Sequence, residues 1–233
     1  MRSAIDGFVE GLGEIYEGEL ESVWMGGSRA REFGNPETSD VDLLLATKRL
    51  TPSEKRVHLL ELVKSQSLSY DITAATIDHI NADVFPTPVD FLLKMNNTIV
   101  LMPDGSKDFL LLRQDIFESG RDLLGTPHNR ILKRVPWPLL RQCIRHVVPQ
   151  IRTKFKNPAL MFCRVAFTLV ECHLCTKIEA GEWGLRVLDA RFHQLIQMDL
   201  DSYVCSSDCS LDQDDLRHLE GHCRAMIERC DDT

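Results

Sequence analysis

The stretch that decides the fold reads MGGS at residues 25–28 and SDVDLLL at residues 39–45. This pattern predicts an apolar strand, a glycine-rich turn, a polar loop and a second apolar strand that Asp-x-Asp opens. Because residues i and i+2 of a strand project to the same face, Asp40 and Asp42 direct two carboxylates towards one point. The stretch therefore predicts a pair of anionic oxygen ligands close to a glycine turn.

Both halves of this stretch suit phosphate chemistry. Two carboxylates favour Mg²⁺, which prefers oxygen ligands and completes its coordination with phosphate and water. The turn at Gly27 and Ser28 presents backbone N–H groups that no bulky side chain covers, and such groups cradle phosphate oxygens. Each motif alone is common in plain turns and loops, but their order and spacing together favour phosphoryl or nucleotidyl transfer.

The combined pattern resembles the Gly-Ser … Asp-x-Asp signature of the DNA polymerase beta-like nucleotidyltransferases. In that superfamily the glycine-serine turn holds the nucleotide phosphates, and the two aspartates bind metal. The resemblance also implies a third carboxylate on a later strand.

Asp71 is the candidate for this third carboxylate. Residues 67–77 are rich in β-branched and aromatic side chains, which predicts a strand with Asp71 inside it. A carboxylate in a central strand is costly unless it is paired or binds a metal. Asp71 is therefore interpreted as a metal ligand or as the general base that takes the acceptor's proton. The alternative is a solvent-facing residue of an edge strand.

The composition argues against several classes of function. The formal net charge of −8 does not fit a non-specific nucleic-acid binder, which usually carries a basic face. No run of eighteen apolar residues occurs, so no membrane span is predicted. Acidic residues within the first ten positions do not fit a signal peptide, and the chain is predicted to be cytoplasmic.

The periodicity of the apolar residues changes near Trp137. Before this point strands alternate with helices, which is typical of a mixed sheet with flanking helices. After it the period is helical, which predicts a small bundle. The predicted helices cover residues 138–156, 158–177, 179–200 and 211–229. The predicted fold class is α+β, with a nucleotidyltransferase domain at 1–130 and a helical C-terminal domain at 131–233.

The C-terminal helical half indicates a resemblance to one particular family within this superfamily. Several short motifs follow one another in the same order as in the aminoglycoside adenylyltransferases, which modify streptomycin and spectinomycin. They are LLGTP at 123–127, VP at 135–136, CRV at 163–165, TK at 176–177 and AGEWGL at 180–185. The resemblance to these resistance enzymes implies an active site in the cleft between the two domains, with ATP as the AMP donor and Mg²⁺ as the cofactor.

In the first domain the resemblance assigns roles by position. Gly27 and Ser28 match the phosphate-binding turn of the family. Asp40 and Asp42 match the metal-binding pair. Asp71 takes the place of a catalytic glutamate, whose side chain is one methylene longer.

In the second domain the resemblance implies two contacts with the nucleotide. Arg164 matches an arginine that faces the nucleotide, and Lys177 matches a nucleotide-contacting lysine. The residues by themselves leave an alternative for Arg164, which is a surface arginine on an amphipathic helix.

The family's features for binding streptomycin are missing. Members that modify it carry acids at the start of the helix leading to Arg164, where this chain has KNPA at 156–159, and a tryptophan near the position of Met95. Asp71 and Asp90 are the acids expected to face ammonium groups of an acceptor. A strongly cationic ligand needs more carboxylates, because a buried unpaired charge is severely disfavoured. The expected acceptor is therefore spectinomycin or an unrelated hydroxyl compound.

The predicted function is Mg²⁺-dependent transfer of AMP from ATP to a hydroxyl group of a small-molecule acceptor. Two alternatives stay open, which are a nucleotidyltransferase that AMPylates proteins and a non-catalytic nucleotide-binding module. Three carboxylates argue against the module, because a pure binder has no evident need for three converging acids. Neither a nucleic acid nor a membrane is an expected partner.

Overall fold

The computed structural model describes residues 4–31, 40–94, 96–205, 207 and 209–231. The chain divides into two compact units, Met1–Leu139 and Leu140–Thr233. All strands of the described residues belong to the first unit.

The first unit is built on a six-stranded sheet in the order β5-β4-β3-β2-β1-β6. The strands are β1 (Leu20–Gly26), β2 (Val41–Thr47), β3 (Tyr70–Thr76), β4 (Phe91–Lys94), β5 (Thr98–Leu101) and β6 (Arg121–Gly125). β2 and β3 run parallel, and every other neighbouring pair is antiparallel. The helices of this unit are α1 (Ala4–Tyr16), α2 (Gly27–Ala30), α3 (Ser53–Lys64), α4 (Ile77–Ile80), α5 (Phe109–Ser119) and α6 (His128–Ile131).

β2 and β3 lie in the middle of the sheet, and most of their residues are buried. Leu43, Leu45 and Ile72 are fully buried and pack in one cluster with Phe8 of α1 and Leu59 of α3. Removing this apolar surface from water is the main stabilising contribution to the unit. Burial is only partial at the second position of each of these two strands, which is where the sequence places its carboxylates.

The first three helices predicted after Trp137 are shortened or divided, whereas the helix predicted at 211–229 is shifted by two residues and keeps its length. The observed helices are α7 (Trp137–Val147), α8 (Ile151–Lys154), α9 (Pro158–Glu171), α10 (Lys177–Val187), α11 (His193–Val204) and α12 (Gln213–Asp231), with 3-10 turns at Val148–Gln150 and Ala190–Phe192. The helix predicted at 158–177 ends early because Cys172 adopts a left-handed conformation, with φ of 57°. The helix predicted at 179–200 is interrupted at Asp189, whose side chain caps the following 3-10 turn.

The predicted fold class, a mixed sheet with flanking helices followed by a helical region, is confirmed. Within the described ranges, no helix is long and apolar enough to cross a membrane.

Candidate active site

The three predicted aspartates lie at one end of the sheet. β2 and β3 are parallel neighbours, and their register places Asp42 opposite Asp71. Residues paired in this way project to the same face of strands that lie about 4.8 Å apart. Asp40 lies two positions before Asp42, and its negative charge acts on Asp71. The structure therefore brings together side chains that are separated by a helix in the sequence.

The pKa of Asp71 is raised above its ordinary value. Burial raises the pKa of its carboxyl group, Lys94 lowers that pKa, and the charges of Asp40 and Asp108 raise it. Lys94 ends β4, and its Nζ lies 3.5 Å from Asp71 Oδ2. The site is thus a concentration of negative charge that Lys94 offsets in part, and such a site favours a bound cation.

The glycine turn lies directly against Asp42. Gly26, the last residue of β1, is paired with Asp42 across the sheet. Gly27 follows with φ of +70°, and a Cβ atom built on it would lie 2.0 Å from Asp42 Oδ2. Glycine is required here both by the left-handed backbone and by the close approach of the carboxylate. Ser28 is half-buried and is the second residue of α2.

One N–H group of the turn is used inside the protein. The Gly27 N–H donates to Asp115 Oδ2 at 2.7 Å, and Asp115 lies on α5. Gly27 therefore matters to the turn through its conformation and its missing side chain, while the prediction of a phosphate contact depends on Ser28 and the backbone that follows.

The ligand types fit Mg²⁺, since carboxylate oxygens are its usual protein ligands. Among the residues that the structure describes, no three His, Cys, Asp or Glu side chains are grouped closely enough to hold a metal ion as they stand. The metal role of Asp40, Asp42 and Asp71 stays a prediction, supported by their shared face and by the local excess of negative charge.

Arg164 and Lys177 have contacts within the helical unit. The Arg164 side chain, on α9, is half-buried, and its Nε donates to the carbonyl oxygen of Cys175 at 2.9 Å. The Lys177 Nζ lies 4.9 Å from the centre of the Tyr203 ring, a cation–π contact. Their roles in nucleotide binding stay predictions.

Asp90 is not part of this site, contrary to the sequence-based expectation. Its backbone pairs with Ala74, about 10 Å further along β3 than Asp71. Its carboxylate is 7% exposed, accepts the Thr51 N–H at 2.6 Å and lies 3.8 Å from Arg56. Asp90 therefore lies at the opposite end of the sheet from Asp71, where it is hydrogen-bonded to Thr51 and close to Arg56.

A carboxylate does lie at the start of α9, but it comes from α11. Asp199 is fully buried and accepts hydrogen bonds from Asn157 Nδ2 and the Leu160 N–H, both at 3.0 Å. Burial raises the pKa of Asp199, and these hydrogen bonds lower it. Because both oxygens serve the start of the helix, Asp199 does not replace the acids that are missing from 156–159. Met95, the other position considered for streptomycin, lies outside the described residues.

Sequence reasoning missed Lys94, Asp108 and Asp115. They approach the site through the pairing of β4 with β3 and the packing of α5 on the turn, neither of which is a local sequence pattern. The sequence does contain one indication of Asp115, because the polar residues 113–115 follow an apolar run in α5.

The chain matches known protein families over most of its length. Residues 5–121 match the family model of the nucleotidyltransferase domain, and residues 130–229 match that of the aminoglycoside adenylyltransferase C-terminal domain. A spectinomycin 9-adenylyltransferase from Campylobacter jejuni is 22% identical over 232 residues, covering 92% of this chain and 88% of that protein. A crystal structure of a spectinomycin adenyltransferase from Enterococcus, with ATP and spectinomycin, has the same fold. Its TM-score is 0.81 at 14% identity, covering 97% of this chain and 98% of the other.

Proposed function

Because the chain belongs to the nucleotidyltransferases, with the domain composition of an aminoglycoside adenylyltransferase, we propose that it transfers AMP from ATP to a hydroxyl group of a small-molecule acceptor. The resemblance and the enzyme class, a nucleotidyltransferase, are confirmed by these matches. The observation that carries the proposal is the placement of Asp42 beside Asp71 in the sheet and against the Gly27 turn.

The proposed reaction is an in-line displacement at the α-phosphorus of ATP. The acceptor oxygen forms the new P–O bond, the bond to the β-phosphate bridging oxygen breaks, and pyrophosphate leaves with that oxygen. Asp71 takes the proton of the acceptor hydroxyl, which its raised pKa and its partial exposure favour. Ser28 and the turn orient the phosphates. Most of the rate comes from positioning and charge neutralisation, as in other phosphoryl-type transfers.

Mg²⁺ is the proposed cofactor. Asp40, Asp42 and Asp71 would hold it, and when bound it would neutralise charge on the donor phosphates. The excess of negative charge around Asp71 supports a cation at this end of the sheet.

The proposed acceptor is spectinomycin or a compound with similarly few charges, which would make the protein an antibiotic-resistance enzyme. The relatives named above support spectinomycin. The surroundings of Asp71 support a weakly cationic acceptor, because Lys94 already neutralises part of its charge and Asp90 is occupied elsewhere.

We expect AMP to be added to spectinomycin and not to streptomycin. Each compound is incubated with the protein, ATP and Mg²⁺, and mass spectrometry detects the added AMP. Omission of Mg²⁺ and addition of EDTA test the metal. Efficient modification of streptomycin would show that acids elsewhere in the chain replace the missing cluster. If neither compound is modified, pyrophosphate release with a panel of hydroxyl compounds tests the reaction itself, and no release with any of them contradicts the proposed function.

We expect Arg164→Ala to weaken ATP binding by about 1.5–3 kcal/mol, the usual size of a hydrogen bond to a charged group. This corresponds to about a 10- to 150-fold change in affinity for a non-hydrolysable ATP analogue, measured by calorimetry. Arg152→Ala is the matched control, because Arg152 also forms a partly exposed contact within the helical unit, with Glu220 at 2.6 Å. Equal affinities in Arg164→Ala and the wild type would contradict a contact between Arg164 and ATP and would indicate a purely structural role.

A further inference from the structure

We infer that Asp115 and Arg31 are positioning residues that fix the Gly27 turn in the conformation needed for AMP transfer. The inference rests on the proposed function and adds to it two residues outside the sequence signature. Together with Ser119, these two residues form a hydrogen-bonded group, the clamp.

The clamp holds both ends of α2 through one carboxylate. Asp115 Oδ2 accepts the N–H of Gly27, the first residue of this short helix, at 2.7 Å. Asp115 Oδ1 accepts a hydrogen bond from the guanidinium of Arg31, which is the residue that ends the helix. Ser28 lies between these two fixed points, so its backbone is determined by a side chain of α5.

A second set of bonds fixes the clamp itself. Arg31 Nε donates to Ser119 Oγ at 2.7 Å, and the Ser119 hydroxyl donates to the carbonyl oxygen of Asp115 at 3.1 Å. The side chains of Arg31 and Asp115 are only 11% and 10% exposed. Hydrogen bonds to charged groups in such surroundings have strict geometric requirements, which suits an element that must keep one conformation.

Packing leads to the same conclusion. A Cβ atom on Gly26 would lie 3.0 Å from Ile116 Cγ1 and 3.2 Å from both Leu112 Cδ1 and Asp115 Oδ2. α5 therefore packs directly against Gly26. The next residue of the turn, Gly27, packs against Asp42. A change in the clamp displaces the turn relative to the acid that faces it.

A buried ion pair is weak evidence for stability, because apolar side chains of the same size often stabilise as well or better. The ion pair is therefore no evidence that the clamp serves folding, although replacing one partner leaves the other charge buried and unpaired and so lowers stability. A comparable arrangement in the same unit provides a control. Asp90 also accepts a backbone N–H, from Thr51, and lies close to an arginine, but at the opposite end of the sheet.

The experiment compares Asp115→Asn with Asp90→Asn. For Asp115→Asn we expect kcat/KM for ATP to fall about 10- to 100-fold, the scale of a misplaced active-site element. Faster hydrogen exchange at the Gly27 amide should accompany this loss. Asp90→Asn should lower the melting temperature about as much as Asp115→Asn does, without changing kcat/KM or the exchange of the Gly27 amide. Ser119→Ala, a milder change in the same clamp, should reduce kcat/KM a few-fold and keeps the test valid if Asp115→Asn does not fold.

Two results would overturn the inference. The first is that both Asp115→Asn and Ser119→Ala have the same kcat/KM and the same hydrogen exchange at the Gly27 amide as the wild type. The other is an equal loss of kcat/KM in Asp90→Asn, which would indicate general destabilisation. A wild-type protein that transfers no AMP contradicts the proposed function instead, and the exchange of Gly27 still reports whether the clamp fixes the turn.

Discussion

Asp42→Asn is expected to abolish AMP transfer while the fold survives. The amide keeps the shape of the side chain next to Gly27 and removes the charge that would face Mg²⁺ and the donor phosphates. We expect kcat to fall by about 10³-fold or more, the upper end of the range for removing one preorganised electrostatic contact. Turnover is followed by pyrophosphate release, and folding by the thermal unfolding transition. Asp40→Asn should behave in the same way.

Asp90→Asn is the matched control for this variant, since it makes the same chemical change at the other end of the same sheet. It should retain wild-type turnover. Near-normal turnover in Asp42→Asn would contradict the proposed metal site. It would also contradict the hypothesis that the Asp-x-Asp motif is the centre of the reaction.

Gly27→Ala is expected to disable the enzyme for a different reason. Its methyl group would occupy a point 2.0 Å from Asp42 Oδ2, so either the turn or the carboxylate must move. The backbone at Gly27 also has φ of +70°, which costs a residue with a side chain about 1–2 kcal/mol. We expect loss of AMP transfer and a lower melting temperature, measured by the same two assays.

Gly18→Ala separates the effect of backbone strain from the effect of the contact with Asp42. Gly18 has φ of +82°, but nothing lies within 4 Å of a Cβ atom built on it. The Gly18→Ala variant should therefore be less stable than the wild type, because of backbone strain, and should keep its activity. If Gly27→Ala also kept its activity, the contact between the turn and Asp42 would not matter for the reaction.

Much of the architecture was predictable because it depends on local patterns. Alternation and composition predicted the strands that carry Asp42 and Asp71, and the change in periodicity near Trp137 predicted the helical region. Helix ends were predicted less well. Cys172 ends α9 in a left-handed conformation without the glycine or asparagine that normally marks such an end.

The sequence by itself determined the glycine turn, the Asp-x-Asp strand and the class of chemistry, because all three depend on the single stretch at residues 25–45. Only the tertiary structure decided which distant side chains join them. The register of β2 with β3 placed Asp71 beside Asp42, and the pairing of β4 with β3 brought Lys94 to Asp71. The packing of α5 on the turn gave Asp115 its contact with Gly27. Strand order and helix packing depend on burying apolar surface across the whole unit, so no local motif encodes them.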